Sequence, residues 1–140
     1  MVNSFLNAVT KQLGTTFGNS NRYYVEDVEQ GMVEPCFTID ILLPLQRSKS
    51  AVLYERTMPL VIHWFSGSNT TNKKDCYEMA ERTIECLEYL PFNNTLIRGE
   101  DISWKMVDDV LEISITYKFT TTIAKDEDKF ETLDTLVGHK

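Results

Sequence analysis

The side chains best suited to metal or thiol chemistry are three cysteines, Cys36, Cys76 and Cys86, and two histidines, His63 and His139. The cysteines form no CxxC pair, and neither histidine lies at a spacing typical of a zinc site. Cys36 and Cys76 fall at positions expected to face the core, where an unpaired cysteine packs as a small apolar residue. The sequence therefore predicts free thiols in a reducing compartment and no bound metal.

Carboxylates recur at helical spacing in the middle of the chain, for example at Glu78, Glu81 and Glu85. They fall on the solvated face of a predicted helix, whereas paired catalytic carboxylates need differently shielded environments. The chain contains no glycine-rich phosphate loop, GxSxG motif or HExxH motif. We therefore predict no catalytic residues, no cofactor and no enzyme activity.

Positive charges concentrate at Arg47, Lys49 and Arg56, in a polar segment that follows Pro44. Two interpretations of this segment remain open: a solvated loop, or a contact surface for an acidic partner. A segment of opposite charge lies near the C-terminus. Its acidic residues are Asp126, Glu127, Asp128 and Glu131. The two segments together supply the candidate interface residues.

Two amphipathic helices are predicted, and their apolar faces are expected to form part of the core. The first spans about Asn3 to Thr16, and the second spans about Lys73 to Leu90 and stops at Pro91. In both, apolar residues recur at spacings of three and four, which places them on one stripe of a helix.

Five strands are predicted, at about 22–28, between Pro35 and Pro44, and at about 54–65, 102–107 and 110–123. Alternation in the second strand places Leu43 on its buried face. Pro59 within the third strand predicts an edge, a bulge or a break, because proline lacks the N–H that a strand ladder needs. Turns are predicted at 98–101 and 108–109.

This order of elements predicts an α+β fold. We expect a mainly antiparallel five-stranded sheet with two helices packed on one face and a C-terminal helix or arm. The residues expected to form the covered face are Phe37, Ile39, Ile62, Ile113 and Ile115. With 140 residues, the chain is expected to form one domain, residues 1–140, in which 124–140 is a charged arm.

The net charge of −7 and the sequence pI of about 4.8 disfavour broad contact with a nucleic-acid backbone. No apolar run approaches the roughly 20 residues of a membrane span. Residues 1–13 lack the basic and apolar regions of a signal peptide. We therefore expect a protein made in the cytoplasm, with no membrane partner.

A small ligand- or peptide-binding module is the alternative function. It would use the solvent-facing side of the last strand, through Thr116, Lys118, Thr120, Thr121 and Thr122. Such a module is favoured by aromatic side chains in a pocket. Trp64 and Trp104, however, lie on strand faces that are expected to be core.

The segment VEQGMVEPCFTIDILLP, residues 28–44, resembles a signature of small phage tail terminator proteins. These proteins come from tailed phages and from phage-tail-like bacteriocins of Gram-positive bacteria. The similarity extends over most of the chain in the order of elements, from the leading helix to the charged tail, and its most specific part is EQG…EPCF.

The resemblance implies an assembly protein and no catalytic function. Members typically form a hexameric ring that caps the baseplate-distal, head-proximal end of the tail tube. The ring ends polymerisation of tube and sheath and forms the collar or the surface for head docking. The implied partners are further copies of the chain, the tail tube protein, the sheath protein and the head connector. DNA would pass through the ring without specific binding.

The resemblance also implies a location: the cytoplasm of the producing bacterium during assembly, and then the virion tail or a released particle. Contractile and non-contractile tails both remain open, as do phages and headless bacteriocins.

Overall fold

The computed structural model describes residues 1–25, 32–67 and 73–122. This part of the chain contains two helices, α1 (Val2–Phe17) and α2 (Lys73–Leu87), and a short 3-10 turn at Gly18–Ser20. Its strands are β1 (Arg22–Val25), β2 (Cys36–Ile41), β3 (Leu45–Ser48), β4 (Leu53–Phe65), β5 (Tyr89–Phe92), β6 (Thr95–Val107) and β7 (Val110–Thr122). The end of the predicted first strand and the predicted arm, 124–140, lie outside the described residues.

The strands form a seven-stranded sheet in the order β1-β2-β4-β7-β6-β5, and β3 pairs with β4 beyond the end of β2. β1 and β2 run parallel, while every other pairing among the described strands is antiparallel. The predicted α+β class is confirmed, but the prediction of five antiparallel strands is wrong. Two strands were missed because the segment of β3 was interpreted as a loop and the segment of β5 as the end of a helix. The parallel pair was missed because local periodicity does not reveal the relative direction of two strands.

Helix α1 buries Phe5, Leu6, Val9 and Leu13 along one stripe, as its apolar spacing predicts. It ends at Gly18, whose φ of +67° is accessible to glycine without steric cost. The N–H of Gly18 donates to the carbonyl of Gly14, which satisfies one of the free carbonyl groups of the last turn.

Helix α2 ends at Leu87, earlier than predicted, and β5 begins at Tyr89. Leu90 is buried and Pro91 is exposed, so these residues alternate as in a strand. A buried Leu90 fits the period of a helix as well as the two-residue period of a strand, which explains why the helix was predicted to extend too far. Pro91 is tolerated because β5 is the outermost strand of the sheet.

The predicted turn at 98–101 is also wrong, because β6 runs through it from Thr95. A β-bulge between Glu100 and Ser103 adds one residue to β6 relative to β7, and Asp101 has a φ of +50°. Gly99 sits directly against the side chain of Ile115. The turn-forming residues of this stretch therefore form a β-bulge, and Gly99 allows the close contact with Ile115.

Pro59 lies in the interior of the sheet, on β4, so of the edge, bulge or break predicted there the edge is wrong. Its carbonyl accepts from the N–H of Leu42 at 3.0 Å, so its nitrogen faces the same side of β4. On that side β2 ends at the pair Ile41–Leu60 and β3 begins at the pair Leu45–Thr57. Pro59 therefore occupies a gap between two neighbours, where no ladder needs its N–H.

The turn at Asp108 and Asp109 is confirmed. Both residues have positive φ, +51° and +65°, as the central residues of a type I′ hairpin turn require. The turn joins β6 to β7 and sets their register, with Val107 opposite Val110.

Both helices pack on one face of the sheet, as predicted. The residues expected to form that face, Phe37, Ile39, Ile62, Ile113 and Ile115, are all buried. At the centre, the ring of Tyr117 lies edge-on to Phe5, with ring centroids 5.3 Å apart, and its hydroxyl donates to the carbonyl of Leu87. This bond joins the middle of β7 to the end of α2.

Two glycine-to-alanine substitutions are expected to have opposite effects. At Gly99 a Cβ would lie 2.6 Å from Cγ2 of Ile115, so Gly99→Ala should destabilise the fold by about 1–3 kcal/mol through overpacking. At Gly14, inside α1, a Cβ meets nothing within 4 Å, so Gly14→Ala should stabilise it by about 0.5–1 kcal/mol. Chemical denaturation measures both; equal shifts in the two variants would contradict the close contact at Gly99.

Candidate functional site

The predicted basic segment is a β-hairpin rather than an irregular loop. Residues Leu45–Ser48 pair with 54–57 of β4, and the N–H of Lys49 and of Ser50 donate to the carbonyl of Leu53 at 2.8 and 3.3 Å. All residues of β3 are exposed. The hairpin therefore holds its side chains in a defined geometry while leaving them accessible.

The structure divides the predicted basic cluster between the two faces of the sheet. Arg47 lies opposite Glu55, and Nζ of Lys49 lies 3.8 Å from Oε2 of Glu55, on the face away from the helices, here called the open face. Arg56 follows Glu55 directly and so projects to the helix side, where its Nε donates to Oγ1 of Thr121 at 3.1 Å. Arg47 and Lys49 thus act together, whereas Arg56 belongs to another surface.

Four exposed apolar side chains come from the same stretch of chain, residues 42–52. Leu42, Leu43, Leu45 and Val52 are 66%, 67%, 53% and 53% exposed. Leu43 was expected on a buried face, but β2 ends at Ile41, so that expectation is wrong. We call Leu42, Leu43, Leu45, Arg47, Lys49 and Val52 the hairpin surface.

The apolar part of the hairpin surface was missed by sequence reasoning. The signal was present in the run LLPL, residues 42–45, which continues apolar after the strand alternation ends at Pro44. Clustered exposed apolar side chains, unlike single ones, mark contact sites on protein surfaces.

The acidic candidates, Asp126, Glu127, Asp128 and Glu131, lie outside the described residues. The last described residue, Thr122, lies opposite Leu53 at the base of the hairpin.

The open face of β7 carries the surface suggested for a binding module, with one correction. Thr116, Lys118, Thr120 and Thr122 face that side, but Thr121 is buried and faces the helices. Further along the open face, Glu112 is 3.3 Å from Nε2 of His63 and 3.9 Å from Nζ of Lys105, across three adjacent strands. These polar groups contact each other across the strands.

Both tryptophans pack as core residues. Trp64 is 9% exposed, and its Nε1–H donates to Oδ1 of Asn21 at 3.0 Å. Trp104 is partly buried against the core and lies 5.4 Å from the ring of Tyr77. Their placement supports the interpretation that they are structural, and not lining residues of a ligand pocket.

The three cysteines are free and buried, as predicted. Cys76 and Cys86 join the core on the helix side, whereas Cys36 is buried on the open face opposite Phe65. Burial raises the pKa of all three thiols. For Cys86 a hydrogen bond from Thr16, at 3.0 Å, partly offsets that rise in pKa.

Comparison with known proteins decides the family. The sequence model of a family described as phage tail terminator protein matches residues 4–129. The chain belongs to the phage tail terminator family. The resemblance seen in residues 28–44 is thereby confirmed, and the match includes all described helices and strands beyond the first few residues of α1. No curated protein matches the chain.

As a tail terminator, the protein is a structural component of phage tail assembly and interacts with other tail components. The family is one of structural proteins and not of enzymes. Within the described residues, no helix is long and apolar enough to cross a membrane.

The buried thiols predict how the terminator responds to alkaline pH. The unfolded chain releases thiol protons near the ordinary pKa of 9.0, while the folded chain retains them because burial raises the pKa. Stability from the thiols is therefore complete below that pH and is lost as the pH rises through the folded values. Melting temperatures measured from pH 7 to pH 10 should fall above about pH 9.

The matched control replaces the three cysteines with alanine. This variant has a lower melting temperature at every pH because core packing is lost. Its melting temperature should, however, fall less between pH 8 and pH 10 than that of the wild-type protein. An equal loss in the two proteins would show that other groups cause the alkaline destabilisation.

Proposed function

We propose that this terminator closes into a six-membered ring on the baseplate-distal end of the tail tube. The ring ends polymerisation of the tube, and of a sheath where one is present, and offers the surface on which a collar forms or a head connector docks. Assembly takes place in the cytoplasm of the producing bacterium. The single observation that carries this proposal is the hairpin surface, at whose base the described part of β7 ends with Thr122.

A closed ring requires contacts between two different surfaces of the same chain. The hairpin surface supplies one, since it combines four exposed apolar side chains with Arg47 and Lys49. The acidic residues 126–131 supply the other, and the same segment carries the apolar Phe130. Opposite charges steer such contacts and fix their register, while apolar burial provides most of the free energy.

The partners are further copies of the terminator, the tail tube protein, the sheath protein and the head connector. The net charge of −7 supports a ring that DNA traverses without specific binding. A ring assembled before the tube reaches full length would be unproductive. We therefore expect the terminator to be monomeric or weakly associated when dilute.

Cryo-electron microscopy of terminator mixed with assembled tail tubes tests the ring directly. Six-fold density at one end of each tube is expected, with the hairpin of one copy against its neighbour. Analytical ultracentrifugation of the terminator alone should give the mass of a monomer. Bare tube ends, or a cap of another symmetry, would contradict the proposal.

Reversing the charges of the hairpin surface should block capping while the chain still folds. In the variant Arg47→Glu/Lys49→Glu, the new carboxylates lie near Glu55, so we expect a loss of stability below about 1 kcal/mol. Tails made with this variant should be uncapped and of uncontrolled length.

The control variant Lys11→Glu/Lys74→Glu makes the same change in net charge on the exposed sides of α1 and α2. This control should cap tails normally if capping depends on the charges of the hairpin surface and not on the net charge of the protein. Tail lengths are measured by electron microscopy, and thermal melts verify folding. Capped tails of normal length from the hairpin variant would show that Arg47 and Lys49 make no assembly contact.

A further inference from the structure

A cavity of about 320 Å³ lies where the start of α1 meets the β5–β6 turn and the ends of β4 and β7. The residues that line it are Met1, Tyr54, Arg56, Asn93, Asn94, Thr121 and Thr122. This cavity is on the helix side of the sheet, so it is separate from Arg47 and Lys49 on the open face.

Among the described residues that line the cavity, Arg56 is the one with a charged side chain. The side chain is half-buried, and its Nε–H bond to Thr121 holds the guanidinium in place. Within residues 1–25, 32–67 and 73–122, no carboxylate forms an ion pair with Arg56, and no acidic side chain lines the cavity. A partly desolvated guanidinium gains most from a carboxylate, which can accept two parallel N–H bonds from it.

The chain itself carries carboxylates to this place. Thr122 lines the cavity and is the last described residue. Ile123, Ala124 and Lys125 follow, and then the acidic residues from Asp126 onward. An extended chain covers roughly 3.3–3.6 Å per residue, so Asp126 can lie up to about 14 Å from Thr122. The acidic segment therefore starts within reach of the cavity.

We propose that the cavity around Arg56 is a carboxylate-binding site, and that its occupant is the acidic segment 126–131 of the same chain. The short connection sets an effective concentration on the order of millimolar. A second copy in a dilute solution, at micromolar concentration, competes poorly with it.

This contact adds a regulatory step to ring formation, and that step rests on the proposed function. Docking within one chain and docking on a neighbour's hairpin surface use the same acidic residues, so the two exclude each other. The cavity thus keeps dilute terminator from closing into rings. Crowding of copies at a tube end raises their local concentration and shifts the competition toward the ring contact.

Limited trypsin digestion of the full chain tests the site. Lys125 directly precedes the acidic segment and Lys129 lies within it. Docking of the segment should therefore protect the peptide bonds after both lysines from trypsin. In Arg56→Gln, cleavage after these lysines should be faster by about tenfold or more, because the docked population falls. Mass spectrometry identifies the fragments, and Arg98→Gln, which removes an exposed guanidinium elsewhere, should leave the rate unchanged.

A second variant applies if Arg56→Gln melts early. It converts Asp126, Glu127, Asp128 and Glu131 to the corresponding amides and leaves the described fold untouched. Its cleavage rate is compared with that of a synthetic peptide of the same sequence, since acidic neighbours themselves slow trypsin. The wild-type protein should be cleaved much more slowly than the peptide of its own sequence. The amide variant should be cleaved at nearly the same rate as the peptide with the amide sequence.

Three outcomes would overturn the proposal. Equal cleavage of wild type and a folded Arg56→Gln would remove Arg56 from the site. Faster cleavage in Arg47→Glu/Lys49→Glu but not in Arg56→Gln would place the segment on the hairpin surface. Protection that grows between about 1 and 100 μM protein would show docking between copies. None of these results depends on tail capping, so the site and the proposed function can fail separately.

Discussion

The pairing of β4 with β7 is the interaction on which the rest of the structure depends. It runs without a register shift from Leu53 opposite Thr122 to Trp64 opposite Leu111. Alternate side chains of both strands, such as Ile62 and Ile113, form the floor of the core on one face. A slip of one residue would turn that floor toward solvent, so burial of the core also fixes the register.

This ladder extends past the part of the sheet that β2 covers. β2 pairs with 60–65, and β3 then continues along the same side of β4 at 54–57. Pro59 marks the change between the two neighbours, since its missing N–H faces the gap. The length of the ladder thus places the hairpin and Thr122, the last described residue of β7, at the same end of the described fold.

The candidate site was predictable in its charged residues, but neither its apolar residues nor its geometry were. Sequence reasoning found Arg47, Lys49 and Arg56 as one basic segment. Strand alternation separates them, because Arg56 projects to the helix side and Arg47 to the open face. The exposed Leu42 and Leu43 were missed, since an apolar residue next to a strand is normally assigned to the core and only its lack of a packing partner reveals a surface.

By itself, the sequence determined the α+β class, both amphipathic helices, the buried faces of β2, β4 and β7, and the position of the turn between β6 and β7. These features follow from periodicity and turn chemistry, which act over a few residues. The motif in residues 28–44 determined the family as well. Only the tertiary structure decided that β1 lies parallel to β2, that Leu45–Ser48 and Tyr89–Phe92 are strands, and that Arg56 faces a cavity. Each of these depends on which distant segment supplies the hydrogen-bond or packing partner, and short, weakly patterned segments do not encode that choice locally.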